Sequence, residues 1–161
     1  MTADLLDLLE RLSAAGVEFV IIGGFAGIVH GCTYVTEDID ICCDFSAANL
    51  LALQKALAGS HPVHRMTPHR KPLLLTEKTC RQFENLYLDT DIGQLDCVGS
   101  VEGVGDYQQV KQASEIVEVE DTRMRILKLD WLIKSKKATD RPRDRQAVLQ
   151  LEAIKKLRRK K

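Results

Sequence analysis

Asp38 and Asp40 flank Ile39 in the run DIDICC, which otherwise reads as a buried strand. A strand turns successive side chains to opposite faces, so the two carboxylates share one face while Ile39 and Ile41 anchor the other in the core. Neighbouring carboxylates repel, and a buried one without a partner costs several kcal/mol or gives up its charge. A hard divalent cation removes that penalty. Mg2+ suits the pair because it takes few protein ligands and fills its other positions with water and phosphate oxygens. Upstream, VEFVII ends on Gly23-Gly24 just before a short helical stretch. Such a turn lets the backbone approach a phosphate closely, and the helix N-terminus offers unpaired N–H groups. In IGQLDCVG a third carboxylate, Asp96, sits between Leu95 and Cys97, and a neighbouring strand can bring it to the pair. Two ions ~3.5–4 Å apart, held by such a trio, would activate an attacking hydroxyl and stabilise a leaving pyrophosphate.

Neither half of this pattern is specific alone. The chain has a second D-x-D, DTD at residues 89–91, which reads as a turn because polar residues and Gly93 surround it. The combination of an apolar run ending in Gly-Gly, an alternating Asp-apolar-Asp-apolar strand and a later strand aspartate meets one geometric demand.

The elements that must position these residues follow from periodicity. Leu5, Leu8, Leu9 and Leu12 share one face of a first helix over residues 2–15, with Thr2 as cap and Gly16 as stop. Strands are expected at 17–22 and 39–43, a two-turn helix between them, and a helix from a Ser46 cap to Gly59. SHPVHRMTPHRKP holds three of the four histidines and three of the four prolines and reads as an exposed loop. Further strands are expected at PLLLT, FENLYLDT and IGQLDCV. EIVEVEDTRMRILKL reads as a hairpin turning near Asp121, and two helices, around residues 131–138 and 142–158, close the chain. The fold class is α/β (α+β): a mixed β-sheet with flanking helices and a C-terminal helical hairpin. Residues 1–128 form the sheet unit and residues 129–161 the basic helices packed on it.

The pattern in IIGGFAGIVHGCTYVTEDIDI resembles that of the polymerase-beta-like nucleotidyltransferase superfamily. The resemblance implies a nucleotidyltransferase fold in which Gly23 and Gly24 hold nucleotide phosphates, Asp38 and Asp40 bind Mg2+, and Asp96 joins the metal site near the incoming hydroxyl. LDWLIKSKKATDRPRD is similar to the L-I-x-x-K … R-x-[KR]-D element of small bacterial members, including nucleotidyltransferase-like toxins of abortive-infection toxin–antitoxin systems. It places Lys136, Arg141 and Asp144 at the matching positions and implies that Lys136 and Arg141 touch the triphosphate. It also implies a cognate antitoxin as a partner. Many members have Gly-Ser where this chain has Gly23-Gly24, so backbone N–H groups replace a hydroxyl contact here.

The whole chain bounds the rest. No run approaches the ~18 apolar residues of a membrane span and the start shows no secretory pattern, which suits a cytoplasmic protein. The five cysteines form no C-x-x-C pair and read as free, mostly buried thiols, Cys42 and Cys43 among them. Net charge is zero, yet residues 123–161 hold 15 Lys/Arg against 4 Asp/Glu while residues 1–122 hold 8 against 19. This cationic third could meet the phosphate of a nucleotide or nucleic acid, or be a solvated surface that balances the acidic body. The terminal KKLRRKK reads first as a solubilising end and second as an RNA contact. His61, His64 and His69 lie in a Pro-broken loop and read as surface rather than metal ligands. His30 and Trp131 read as packing residues. The leading expectation is a nucleotidyltransferase that uses Mg2+ to move a nucleoside monophosphate from a nucleoside triphosphate to a hydroxyl of a tRNA, a protein or a small molecule. The rivals are a non-catalytic nucleotide- or partner-binding module on the same fold and an RNA-binding adaptor.

Overall fold

A computed structural model describes residues 3–160. In chain order the elements are α1 (Ala3–Ala14), β1 (Phe19–Ile22), α2 (Gly23–His30), β2 (Asp38–Cys43), α3 (Ala47–Leu57), β3 (Val63–His64), β4 (Asn85–Asp89), β5 (Gln94–Val98), β6 (Ser100–Val101), β7 (Gly105–Asp106), α4 (Tyr107–Gln112), β8 (Ser114–Val119), β9 (Thr122–Leu127), α5 (Leu129–Thr139) and α6 (Pro142–Arg159). The expected Thr2 cap lies outside the described residues.

Among these, seven strands form a mixed sheet in the order β3-β4-β5-β2-β1-β9-β8. β1 pairs antiparallel with β2, which pairs parallel with β5, and the register sets Asp40 directly opposite Asp96. Directly opposed residues share a face. Ile39, Ile41, Leu86, Leu88 and Leu95 turn to the other face and are buried with the leucines of α1 and with Leu50, Leu53 and Leu57 of α3 in one core. Alternation along β2 therefore does two tasks: it anchors the strand in apolar packing and lines up carboxylates on the opposite side.

Local chemistry sets most boundaries. The Ser46 hydroxyl accepts from the Asn49 N–H at the start of α3, as the sequence predicts. The β8–β9 hairpin turns on Glu120 and Asp121, both with positive φ, a conformation that aspartate tolerates better than most residues. Pro142 opens α6 at a position where its missing N–H costs nothing. α5 and α6 pack on each other and on α2.

Two expectations are corrected, and one helix is added. PLLLT is not a strand: Pro72 makes one isolated bridge to Val63, and the Leu75 N–H is bonded by the Gln54 side chain rather than by a neighbouring strand. The histidine-rich loop contributes β3 at the sheet edge, where Val63 and His64 pair with β4. α4 escapes a periodicity reading because it is six residues long, with Tyr107 and Val110 as its buried side chains. Its signal is the capping box, in which Asp106 accepts from the Gln109 N–H and Gln109 bonds back to the Asp106 N–H.

Candidate active site

Asp38, Asp40 and Asp96 each place a carboxylate oxygen such that all three lie within 4.8 Å of one another. Burial, then the charges of Asp38 and Asp96, push the Asp40 carboxyl up to about 6, against a smaller pull from Lys136 and Arg143. The group thus carries the unrelieved repulsion that the sequence pattern implies. Asp38 is fixed by neutral donors: the Thr36 hydroxyl donates to Oδ1 (2.9 Å) and the Gln94 amide to Oδ2 (3.2 Å). Asp96 is gripped by Arg65, whose Nη1 and Nη2 donate to Oδ1 and Oδ2 at 2.6 and 3.1 Å. A set of three carboxylates at this spacing is hard, anionic and oxygen-only, which fits Mg2+.

The glycine corner sits against this group. Gly23 has φ +66°, and a Cβ there would fall 2.4 Å from Asp40 Oδ2. Only glycine both accepts the left-handed backbone and leaves the carboxylate its place. Gly24 differs: its carbonyl accepts from the Tyr34 hydroxyl at 2.9 Å, and a Cβ would press on Thr36 Oγ1 at 3.3 Å, a far milder conflict than at Gly23. α2 starts at Gly23, and among the described residues no side chain caps it. Its first N–H groups and its dipole are left for an anion.

A cleft of about 520 Å³ joins these parts, lined by Gly23, Gly24, Asp38 and Asp40 on one wall and by Lys136, Arg141 and Arg143 on the other. Lys136 is largely buried; burial lowers its pKa, opposed by Asp144 and Asp40. Behind it, Asp144 is 3% exposed and accepts from the Thr139 hydroxyl (2.7 Å), from Arg141 Nε (2.8 Å) and from the Arg141 N–H (3.1 Å). Its burial alone would raise its pKa, but these bonds win and bring it down to about 2. Because the folded value lies below the unfolded one, the stabilisation is present above about pH 4 and is lost as pH falls toward 2. Asp144→Ala is expected to cost about 2–3 kcal/mol at pH 7, since it strands the buried Lys136 ammonium and removes the bonds to Thr139 and Arg141; a urea titration that moves by less than about 0.5 kcal/mol would contradict this.

The sequence-derived residues are thus placed as follows. The three aspartates converge, Gly23 and Gly24 adjoin them, and Lys136 faces them across the cleft. Arg141 lines the cleft too, but its guanidinium is committed to Asp144 at the start of α6. Arg143, which the sequence reading passed over, lines the same wall. Arg65, Thr36 and Gln94 were also missed. Of DTD, expected as a turn, Asp89 instead ends β4, and Thr90 and Asp91 make the turn, closed by the Thr90 hydroxyl and the Gly93 backbone. His61 pairs with Asp91 and His64 stacks on Phe83. His30 is a buried pin: Nε2–H donates to the Leu127 carbonyl (2.8 Å) and Nδ1 accepts from Arg158 (3.2 Å). Arg158, together with Lys155 on Asp130, ties part of the basic end into the fold. Trp131 packs partly buried against the core, with Lys134 over its ring. All five cysteines are buried free thiols.

No protein-family model matches the chain, and no curated protein matches its sequence. Solved structures do. A lincosamide antibiotic adenylyltransferase, LnuA, in a lincomycin-bound crystal structure superposes with a TM-score of 0.63 at 15% identity, covering 96% of this chain and 98% of that one. An antigenic nucleotidyltransferase-like protein from Paracoccidioides brasiliensis gives 0.57 at 14% identity over 98% of this chain and 78% of its own. A candidate nucleotidyltransferase from Thermotoga maritima gives 0.50 at 17% identity over 96% and 86%. The chain has a nucleotidyltransferase fold. Among the described residues, no helix is long and apolar enough to cross a membrane.

Proposed function

We propose that this chain is a Mg2+-dependent nucleotidyltransferase that moves a nucleoside monophosphate from a nucleoside triphosphate to a hydroxyl acceptor. The observation that carries the reading is a cluster of three carboxylates, two of which line one cationic-walled cleft together with an uncapped helix N-terminus. In this reading residues 1–128 supply the carboxylates and the glycine corner, and residues 129–161 supply the cationic wall.

Asp38 and Asp40, with Asp96 beside them, would hold Mg2+, which when bound neutralises phosphate charge and supports the departing pyrophosphate. The Gly23 and Gly24 N–H groups seat phosphate oxygens, with Lys136 and Arg143 drawing the β- and γ-phosphates to the opposite wall and Arg141 adding positive charge from its place on Asp144. The acceptor oxygen forms a bond to the α-phosphorus, the bond to the bridging oxygen breaks, and pyrophosphate leaves with the bonding pair. Asp96 accepts the hydrogen bond of the attacking hydroxyl, whose proton leaves by that path to solvent. Positioning and charge neutralisation supply the rate.

A small-molecule acceptor is favoured over a tRNA or a protein because LnuA, itself a lincosamide antibiotic adenylyltransferase, is matched over nearly its whole length, so a chain of this size can serve such an acceptor without an added domain. The test is incubation with each α-labelled nucleoside triphosphate, Mg2+ and a cell extract, beside Asp40→Ala. Label is expected in the small-molecule fraction, dependent on Mg2+ and absent with the variant. Label on RNA or protein would move the acceptor to that class and, with it, favour the toxin-like role and an antitoxin partner. Triphosphate binding with no transfer to any fraction would identify the non-catalytic binding module instead.

A further inference from the structure

Arg65 lies one residue past β3, and its N–H donates to the Tyr87 carbonyl at 2.8 Å. That pairing continues the β3–β4 register, so Arg65, Tyr87, Asp96 and Asp40 form one row across four neighbouring chain segments on one sheet face. From the end of the row the guanidinium reaches over the Tyr87 ring, 5.8 Å from its centroid, and closes its fork on Asp96. The side chains of Arg65 and Asp96 are only 21% and 16% exposed, unlike a solvent-screened surface bridge. The three carboxylates are therefore not equivalent. Asp38 is fixed by neutral donors, whereas both oxygens of Asp96 are already engaged by a fixed positive charge.

We propose that Arg65 takes the place of a second cation, making the trio a one-ion centre in which Asp38 and Asp40 are the ligands and Asp96 is held by the fork. This rests on the metal reading of the site given above. Three carboxylates and one guanidinium leave two negative charges, which one divalent ion balances; a second would leave the group net positive in a partly dry cleft. The fork also fixes the plane of the Asp96 carboxylate, and in this proposal its remaining lone pairs serve the attacking hydroxyl rather than the metal. The sequence pattern, which suggests two ions, cannot register a cation delivered from 31 residues away in a different segment.

The test is Mn2+ binding to the nucleotide-free full chain, followed by the loss of the free-ion paramagnetic resonance signal. Wild type is expected to take one Mn2+ per chain. Arg65→Gln frees Asp96 and is expected to bind a second ion, or to bind the first about tenfold more tightly, the least a unit charge this close is worth. The double variant Arg65→Gln/Asp96→Asn restores the original charge balance and is expected to return to one ion within about threefold of wild-type affinity. It removes both charges together, so it decides the question even where the single variant fails to fold. Two tight ions on wild type, or a double variant bound tenfold more weakly, would show Asp96 to be a ligand and overturn the proposal. Wild type binding no more Mn2+ than Asp40→Asn would overturn the metal reading itself.

Discussion

Asp40→Asn is expected to make the metal-free chain more stable at pH 7 while removing nucleotidyl transfer. The folded carboxyl titrates at about 6, above its ordinary 3.8, because burial and the charges of Asp38 and Asp96 oppose its ionisation. A folded pKa above the unfolded one means that folding loses stability as pH rises from about 4 to 6 and stays lower beyond. Asparagine keeps the shape and carries no charge, so it recovers about 2 kcal/mol at pH 7, an upward shift in Tm of about 4–8 °C for a chain of this size. Below about pH 4 the gain disappears, since both side chains are then neutral. Millimolar Mg2+ reverses the order: wild type gains stability by linkage and the variant does not. Transfer falls by about a thousandfold or more, the scale set by losing one preorganised group on charge that develops in the transition state. Thermal melts with and without Mg2+ at pH 4 and 7 read the first effect, and label transfer reads the second. A variant less stable than wild type in chelator at pH 7 would refute the repulsion on which the site reading depends.

Gly23→Ala and Gly24→Ser are expected to separate two adjacent glycines that look alike in sequence. A methyl group at Gly23 must occupy space 2.4 Å from Asp40 Oδ2 on a backbone at φ +66°. Both the left-handed conformation and the clash oppose it, at a combined cost of about 2–3 kcal/mol. Whatever relaxes moves Asp40 relative to Asp38, and a displacement near 1 Å is worth about a hundredfold in rate. Gly24 has an ordinary helical backbone, and its added Cβ is tight at 3.3 Å to Thr36 Oγ1, which must give by a few tenths of an ångström. Its serine variant is expected to cost about 1 kcal/mol or less, well under the Gly23 change, and to add a hydroxyl at the corner. Equal losses from the two substitutions, in urea titration or in transfer rate, would refute the distinction.

What was legible in the sequence is what leaves a periodic or a local mark. The alternation of Asp38 and Asp40 with Ile39 and Ile41 encodes both the buried and the acidic face of β2, and the leucines of α1 and α3 encode the cover beneath it. Asp96 could be picked out because it interrupts another apolar strand. Arg65 could not: it stands in HPVHRMTPHRKP, where basic residues, histidines and prolines read as loop, and its partner is set by strand register rather than by spacing. Arg141 shows the converse difficulty. Its position in the C-terminal element suggested phosphate, but the residue three places on, Asp144, takes the guanidinium in a capping interaction, and Arg143 is the neighbour that lines the cleft without that bond. α4 is too short for a helical period to show, and PLLLT has apolar strand composition without a sheet neighbour to receive it.

The chain is electrically neutral as a whole, yet its acidic strands and basic helices face each other across a single cleft. A neutral but dipolar body exerts little long-range pull on an anion and a large torque on one that has already arrived. A metal–polyphosphate is itself lopsided, so the cleft turns it to one heading instead of gathering it from a distance. Where those walls are partly buried, as at Asp40 and Lys136, their pull outlasts ordinary salt, because ions screen partly buried charges much less than exposed ones.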